Sequence, residues 1–343
     1  MNFRTIVNIK PSERQIDHSH ALVFIGSCFA ENIGEKFKNA LFTADINPFG
    51  VLYNPLSIAS ALRRLMSGKL YEEKDLFFDG EMWHSAAHHS SFSDKNNAVC
   101  LQKINDRLTE SSENLRRARH LFITFGTAWV YEWKNSGQIV GNCHKLPAKS
   151  FTRRRLNVDE IVDEYDDLLR ELQKFNPNLN IVFTVSPIRH RKDGAHENSL
   201  SKSALLLAID RLTSLNLPSG GDLQSSKNSG AGKVPFEGGF RGAAYFPAYE
   251  IVNDDLRDYR FYAPDMIHLS DVAVDYIWER VGEAFFSMKT RKIVDEVNEI
   301  NKAKQHRPFN PESEKYRDFL KKMTEKEYEL IAKNNIPDFR LFV

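Results

Sequence analysis

The sequence predicts an α/β sandwich built on a mostly parallel central sheet, and three observations carry that prediction. Nearly unbroken apolar runs at 21–25, 120–125 and 180–186 read as strands buried on both faces. Helical stripes separate them, as in Ile33, Phe37 and Leu41, or Ile161, Tyr165, Leu168 and Leu172. Each run stops at small or turn-forming residues: Gly26-Ser27, Gly126-Thr127 and Ser186-Pro187. Three strand ends therefore converge on the edge where open α/β sheets bind ligands.

In chain order, residues 1–20 form an N-terminal arm with a short edge strand expected over Thr5–Ile9. The first central strand and its helix follow. The segment 47-NPFGVLYNP-55 is a shaped loop, because proline bars its predecessor from the helical region. A helix carries Ile58, Leu62 and Leu65, and 76-LFFDGEMWH-84 reads as a hairpin around Asp79-Gly80. Helix 97–119 leads to the second strand, after which Trp129, Tyr131 and Trp133 alternate as in extended chain, with packing the expected role for at least two of them. A polar turn at 141-GNCHK-145 and a Pro- and Arg-containing loop precede helix 159–174. Beyond the third strand, 187–199 reads as a long polar loop and the next helix carries Leu205, Leu206, Ile209 and Leu212. The Gly- and Ser-rich stretch 214–242 reads as a flexible insertion, without the Lys-Ser/Thr pattern of a phosphate loop. A last strand lies near 243–251, and helices over 271–286, 290–303 and 313–333 complete the chain. The expected division is a main domain over 1–288 and a helical extension, 289–343, packed on it.

The 343 residues are 41% hydrophobic and 27% charged, a globular composition with material for a sizeable core. A net charge of +1 excludes the electrostatic footprint of a nucleic-acid binder, and 153-RRRL-156 is too short to alter that. Cys28, Cys100 and Cys143 match no disulfide framework and no cysteine-rich zinc motif. No signal-peptide core and no run long enough to span a bilayer is present, so a soluble cytoplasmic protein is expected. Oligomeric state is not readable.

Ser27 stands at the strand-to-helix turn, where a side chain surfaces at the top of a sheet beside helix N–H groups. Capping the helix is its simplest role. A serine hydroxyl becomes a nucleophile only beside an imidazole that is itself oriented. The run 265-DMIH-268, late in the chain and before a long helix, offers Asp265 and His268 for that purpose. Cys28 is the rival nucleophile, since a helix start lowers a thiol's pKa, and a small buried hydrophobe is its alternative role. His84, His88 and His89 allow a metal-dependent reading, but no acidic or cysteine ligand stands at a known spacing. No cofactor is expected.

Several stretches together mark a resemblance: 26-GSCFAENIG-34, 47-NPFGVLYNP-55, 125-FGTAWVY-131, 142-NCHK-145, 185-VSPIRH-190, 201-SKSALL-206, 246-FPAYE-250 and 257-RDYRFYAPDMIH-268. The chain resembles the GSCFA domain family, grouped with SGNH/GDSL-like hydrolases, over roughly 5–285. That resemblance implies a flavodoxin-like three-layer α/β/α sandwich, with a C-terminal helical elaboration. It implies Ser27 as nucleophile and Asp265 and His268 as its catalytic partners. It also implies an oxyanion hole made of the Ser27 N–H, the Gly50 N–H and an asparagine. The usual Gly-x-Asn block is 126-GTA-128 here, which leaves Asn142 as the candidate asparagine.

The expected activity is hydrolysis of an acyl or acetyl ester, of a small molecule or a glycan. O-acyltransfer at the same site, or carbohydrate or acyl-group binding without catalysis, are the alternatives. His144, Arg189, His190, Glu250 and Arg260 are candidates to line the pocket.

Overall fold

The computed structural model describes residues 4–214, 243–306, 308–310 and 312–337. Strand β1 (Leu22–Gly26) passes through Ser27 alone into helix α1 (Cys28–Asn39). Strand β2 (Ala44–Ile46) precedes helix α2 (Pro55–Ser67), whose start is set by the Asn54 side chain accepting the Ser57 N–H and by proline at its first position. The hairpin β3 (Leu76–Phe78) and β4 (Trp83–Ser85) leads to helix α3 (Asn97–Arg117) and strand β5 (His120–Phe125). Strands β6 (Trp129–Trp133) and β7 (Phe151–Arg155) form a second antiparallel ribbon. Helix α4 (Val158–Phe175), strand β8 (Asn180–Val185), helix α5 (Ala195–Ser214) and strand β9 (Ala243–Tyr245) follow. The chain continues through a single turn, α6 (Ala248–Glu250), and a π-helical turn, Ile251–Asp255. Helices α7 (Asp271–Phe285), α8 (Met288–Gln305) and α9 (Glu314–Asn334) end it.

Five strands form one sheet in the order β2-β1-β5-β8-β9, and every neighbouring pair is parallel. Counted within the sheet alone, that order is 2-1-3-4-5, one of the doubly wound arrangements. Strand alternation separates two cores. Leu22, Phe24, Phe122 and Val182 face α1 and α7, with Phe24 stacked on Phe122 at 4.6 Å. Val23, Ile25, Ile123, Phe125, Phe183 and Val185 face α2, α3, α4 and α5. The result is a three-layer sandwich whose crossovers reverse between β1 and β5, which opens a crevice at their carboxyl ends.

Helices α8 and α9 pack on the far end of α1. Leu41, Ile293, Val297, Ile300, Leu330 and Ile336 form a small separate cluster, and Asn301 Nδ2 donates to Asn39 O at 2.8 Å. Because α1 starts at the carboxyl edge of the sheet, this cluster lies at the opposite edge.

Three local expectations are corrected. Residues 5–9 form no strand; instead the Val7 N–H donates to Asp255 Oδ1 at 2.7 Å and Arg280 donates to Val7 O, tying the arm to α7 and the π-helical turn. The Arg-containing loop is strand β7, formed by pairing with β6. Its arginines are held by Asp193, by Glu132 and Glu160, and by Glu197 respectively. The polar loop after β8 is shorter than expected, since α5 begins at Ala195 after Gly194 at φ 76°. Of the insertion expected at 214–242, residues 215–242 lie outside the described residues.

Candidate active site

The turn after β1 is set by Gly26. Its φ is 142°, and a Cβ there would lie 2.2 Å from Thr124 O, so no other residue fits without moving β5. The Gly26 N–H donates to Asn47 Oδ1 at 2.9 Å and its carbonyl accepts the Leu52 N–H at 2.8 Å. The loop 47–53 is thereby laid across the end of β1. It reaches β5 as well, where Tyr53 O accepts from the Gly126 and Thr127 N–H groups at 2.7 and 3.0 Å.

Ser27 is 1% exposed. Its Oγ accepts the Phe29 N–H at 3.3 Å and its own N–H donates to Thr124 O, also at 3.3 Å. It is the helix cap. Cys28, the first residue of α1, is half-buried. Burial pushes its thiol pKa up, Glu31 adds to the rise, and the N–H groups of Cys28 and Phe29 and the Lys202 ammonium oppose it.

His268 and Asp265 meet as their spacing suggests. His268 Nδ1 and Asp265 Oδ2 are 2.5 Å apart, and Asp265 Oδ1 accepts the N–H groups of Ile267 and His268 at 2.9 Å each. Met266, at φ 56°, closes the turn between them. The hydrogen bond from His268, then the two backbone donors, hold the Asp265 carboxyl at about 2. Both side chains are open to solvent, at 55% and 46%. Among the described residues, no hydrogen bond joins His268 Nε2 to Ser27.

The other expected residues are dispersed. The Gly50 N–H is already donated to Asn47 O at 2.7 Å inside its own turn. Asn142 sits beside the β3–β4 hairpin, where its Oδ1 accepts the His144 N–H at 2.8 Å. His144 is buried there against Ser85 O (2.8 Å) and beside His84. Glu250 accepts the Tyr245 hydroxyl at 2.7 Å. Arg260 lies over Phe261 near Asp258, and Arg189 is exposed near Tyr249. His190 does reach the crevice, edge-on to Tyr53 at 5.1 Å. Burial, with Lys202 and Arg153 adding to it, draws its pKa down to about 4, so the ring is neutral.

Of the three histidines weighed as metal ligands, His84 is held by Ser93 and Asp79, His88 by Ser85 and the Phe49 ring, and His89 caps the next short turn. Two open grooves, of about 710 and 1080 Å³, lie elsewhere, and neither is lined by Ser27, Cys28, Asp265 or His268.

Two residues of the crevice escaped the sequence reading. Lys202 is 1% exposed, and its Nζ donates to Gly126 O (2.5 Å) and Ser186 O (2.6 Å), bridging the ends of β5 and β8. Its signal was legible: Lys202, Leu205, Ile209 and Leu212 fall on one helical face, where a lysine has no reason to be. Asn47 is 8% exposed, and its Nδ2 has no hydrogen-bond partner among the described residues.

The GSCFA family model matches residues 21–281, the whole sheet and the crevice with it. The chain belongs to the GSCFA family. A second model, for the C-terminal domain of a GSCFA domain protein, matches residues 297–340, which span the end of α8 and all of α9. No curated protein and no solved structure matches this GSCFA chain.

Proposed function

We propose that this GSCFA protein is an acyl-ester hydrolase, or an O-acyltransferase, acting at the carboxyl edge of its sheet on an SGNH/GDSL-like scaffold. The observation that carries the reading is the Asp265–His268 pair at 2.5 Å. A carboxylate on Nδ1 fixes the imidazole tautomer and leaves Nε2 to accept a proton. The β1–α1 turn supplies a hydroxyl and a thiol as nucleophiles, with Ser27 favoured by the family resemblance. It also supplies the start of a helix whose N–H groups suit a developing oxyanion. In the proposed reaction the nucleophile attacks an ester carbonyl, His268 removes its proton, and Asp265 stabilises the imidazolium. Water, or an acceptor alcohol, then releases the acyl group.

The test is hydrolysis of para-nitrophenyl acetate by the full chain. His268→Ala is expected to lower kcat/KM by about 10²–10⁴-fold, the usual worth of a general base. Equal hydrolysis by the wild type and that variant would refute the reading.

A further inference from the structure

We propose that Cys28 is the attacking group and that Lys202 is its proton acceptor, a thiol–amine pair at the carboxyl ends of β1, β5 and β8. The proposal rests on the acyl-transfer reading, names the nucleophile of that same site, and puts Lys202 in place of His268 as the first proton acceptor, with His268 acting on the water that follows.

Exposure separates the two neighbours on the turn. Ser27 is sealed at 1% and its Oγ is occupied by the Phe29 N–H, whereas Cys28 beside it is only half-buried. An attack by Ser27 would have to uncap α1 and uncover the hydroxyl. Cys28 needs neither.

The surroundings of Lys202 fit a base. Buried lysines are ordinarily neutralised by a carboxylate. Among the described residues Lys202 has none, and instead it meets two backbone carbonyls. A neutral amine carries two N–H donors and one lone pair. Gly126 O and Ser186 O take both donors, and the lone pair is left to accept a proton. Burial draws the amine's pKa down to about 7, while Cys28 and then Asp193 are the charges that act on it in the opposite sense. The strand ends bring thiol and amine near: the Ser27 N–H, next to Cys28, donates to Thr124 O, two residues before the Gly126 carbonyl that holds Lys202. No hydrogen bond joins them in the resting structure, so transfer requires a rotamer change at Cys28 or one intervening water.

A second feature of the same turn points to a ligand. The Asn47 amide is clamped through Oδ1 to the Gly26 N–H, which leaves its Nδ2 as a buried donor without an acceptor. An unpaired buried donor costs about 1–3 kcal/mol. An acyl oxygen drawn to the start of α1 is an acceptor of the kind that would relieve it.

The step balances. The Cys28 Sγ–H proton passes to Lys202 Nζ as Sγ bonds to the acyl carbon. The ester C–O bond breaks, and the leaving alkoxide takes the proton back from Nζ. Water, deprotonated by His268, then attacks the thioester. The C–S bond breaks, the acid departs, and the thiolate recovers its proton from His268.

Alkylation by iodoacetamide, mapped by peptide mass between about pH 6 and 9, tests the pair without any ester. Cys143, also half-buried but on another loop, is the internal comparison. Cys28 is expected to react at least about tenfold faster than Cys143 near neutrality, as a thiol with an adjacent proton acceptor does. Lys202→Gln keeps two N–H donors for the carbonyls but carries no group basic enough to accept a proton near neutral pH. It is expected to slow Cys28 about tenfold and move its alkylation midpoint to higher pH. Should Lys202→Gln not fold, mapping the acyl adduct formed by wild type with para-nitrophenyl acetate decides the nucleophile. An adduct on Ser27, or Cys28 reacting no faster than Cys143, overturns the proposal. So does ester hydrolysis that survives Cys28→Ala, although it would leave the acyl-transfer reading standing. Fast, Lys202-dependent alkylation without any ester hydrolysis would support the pair and count against that reading.

Discussion

Ser27 is a helix cap in geometry, and this has a measurable consequence. Ser27→Ala removes the acceptor of the Phe29 N–H, and is expected to cost about 0.5–2 kcal/mol, read from the urea midpoint. A loss of activity in that variant would therefore need a folded control. Gly26 is less forgiving. A methyl group there meets Thr124 O at 2.2 Å with φ at 142°, so Gly26→Ala is expected to destabilise by more than about 3 kcal/mol, seen as loss of a cooperative melt. Asp265→Asn tests orientation rather than packing, because both side chains are exposed. It presents an N–H₂ or an oxygen where the carboxylate met ring and backbone together. It is expected to lower para-nitrophenyl acetate turnover by about 10²-fold or more while the melting temperature stays near wild type.

Strands and helices were the most legible part of the chain. The parallel strands announce themselves through apolar runs, and α4 through its stripe and the Asn157–Glu160 capping box. The misread pieces are those whose partner is remote. β7 is a charged stretch, Phe151 to Arg155, with no strand pattern of its own; β6 and four acidic residues decide its form. The arm at 5–9 has strand-like alternation, but Asp255 and Arg280 hold its backbone in place of a strand partner. Helices α8 and α9 share a small apolar cluster of their own. Leu330→Ala opens their shared cluster and is expected to cost about 2–5 kcal/mol locally, detected as faster proteolysis of the C-terminal helices. Ester hydrolysis should be unaffected, because that cluster lies at the sheet edge opposite the crevice.

Across the molecule, buried neutral histidines tie stability to pH. Burial holds His88 and His120 at about 3 and His190 at about 4, against about 6.5 in an unfolded chain. As pH falls below about 6.5 the unfolded chain takes up protons that the native chain refuses, so stability declines steadily toward pH 3–4. Each site contributes on the order of a few kcal/mol to that loss. The urea midpoint is expected to drop continuously from about pH 6.5 to 4, and a flat profile would count against these three rings being neutral and buried.

Local periodicity was enough for strands β1, β5 and β8, for the long helices and for the glycine at the first turn; the three-residue spacing of Asp265 and His268 allowed a contact that the structure makes. Which side chains share the crevice was another matter. Asn142 and His144 stand near the expected blocks in sequence, yet the two hairpins hold them together at a separate place. Lys202, from a helix midway along the chain, lies beneath the strand ends instead. Periodicity reports what is near along the backbone. Sheet order and helix packing bring β1, the loop after β2, β5, β8 and α5 to one edge, where Lys202 meets Gly126 and Tyr53 meets His190 through contacts that leave no trace in spacing.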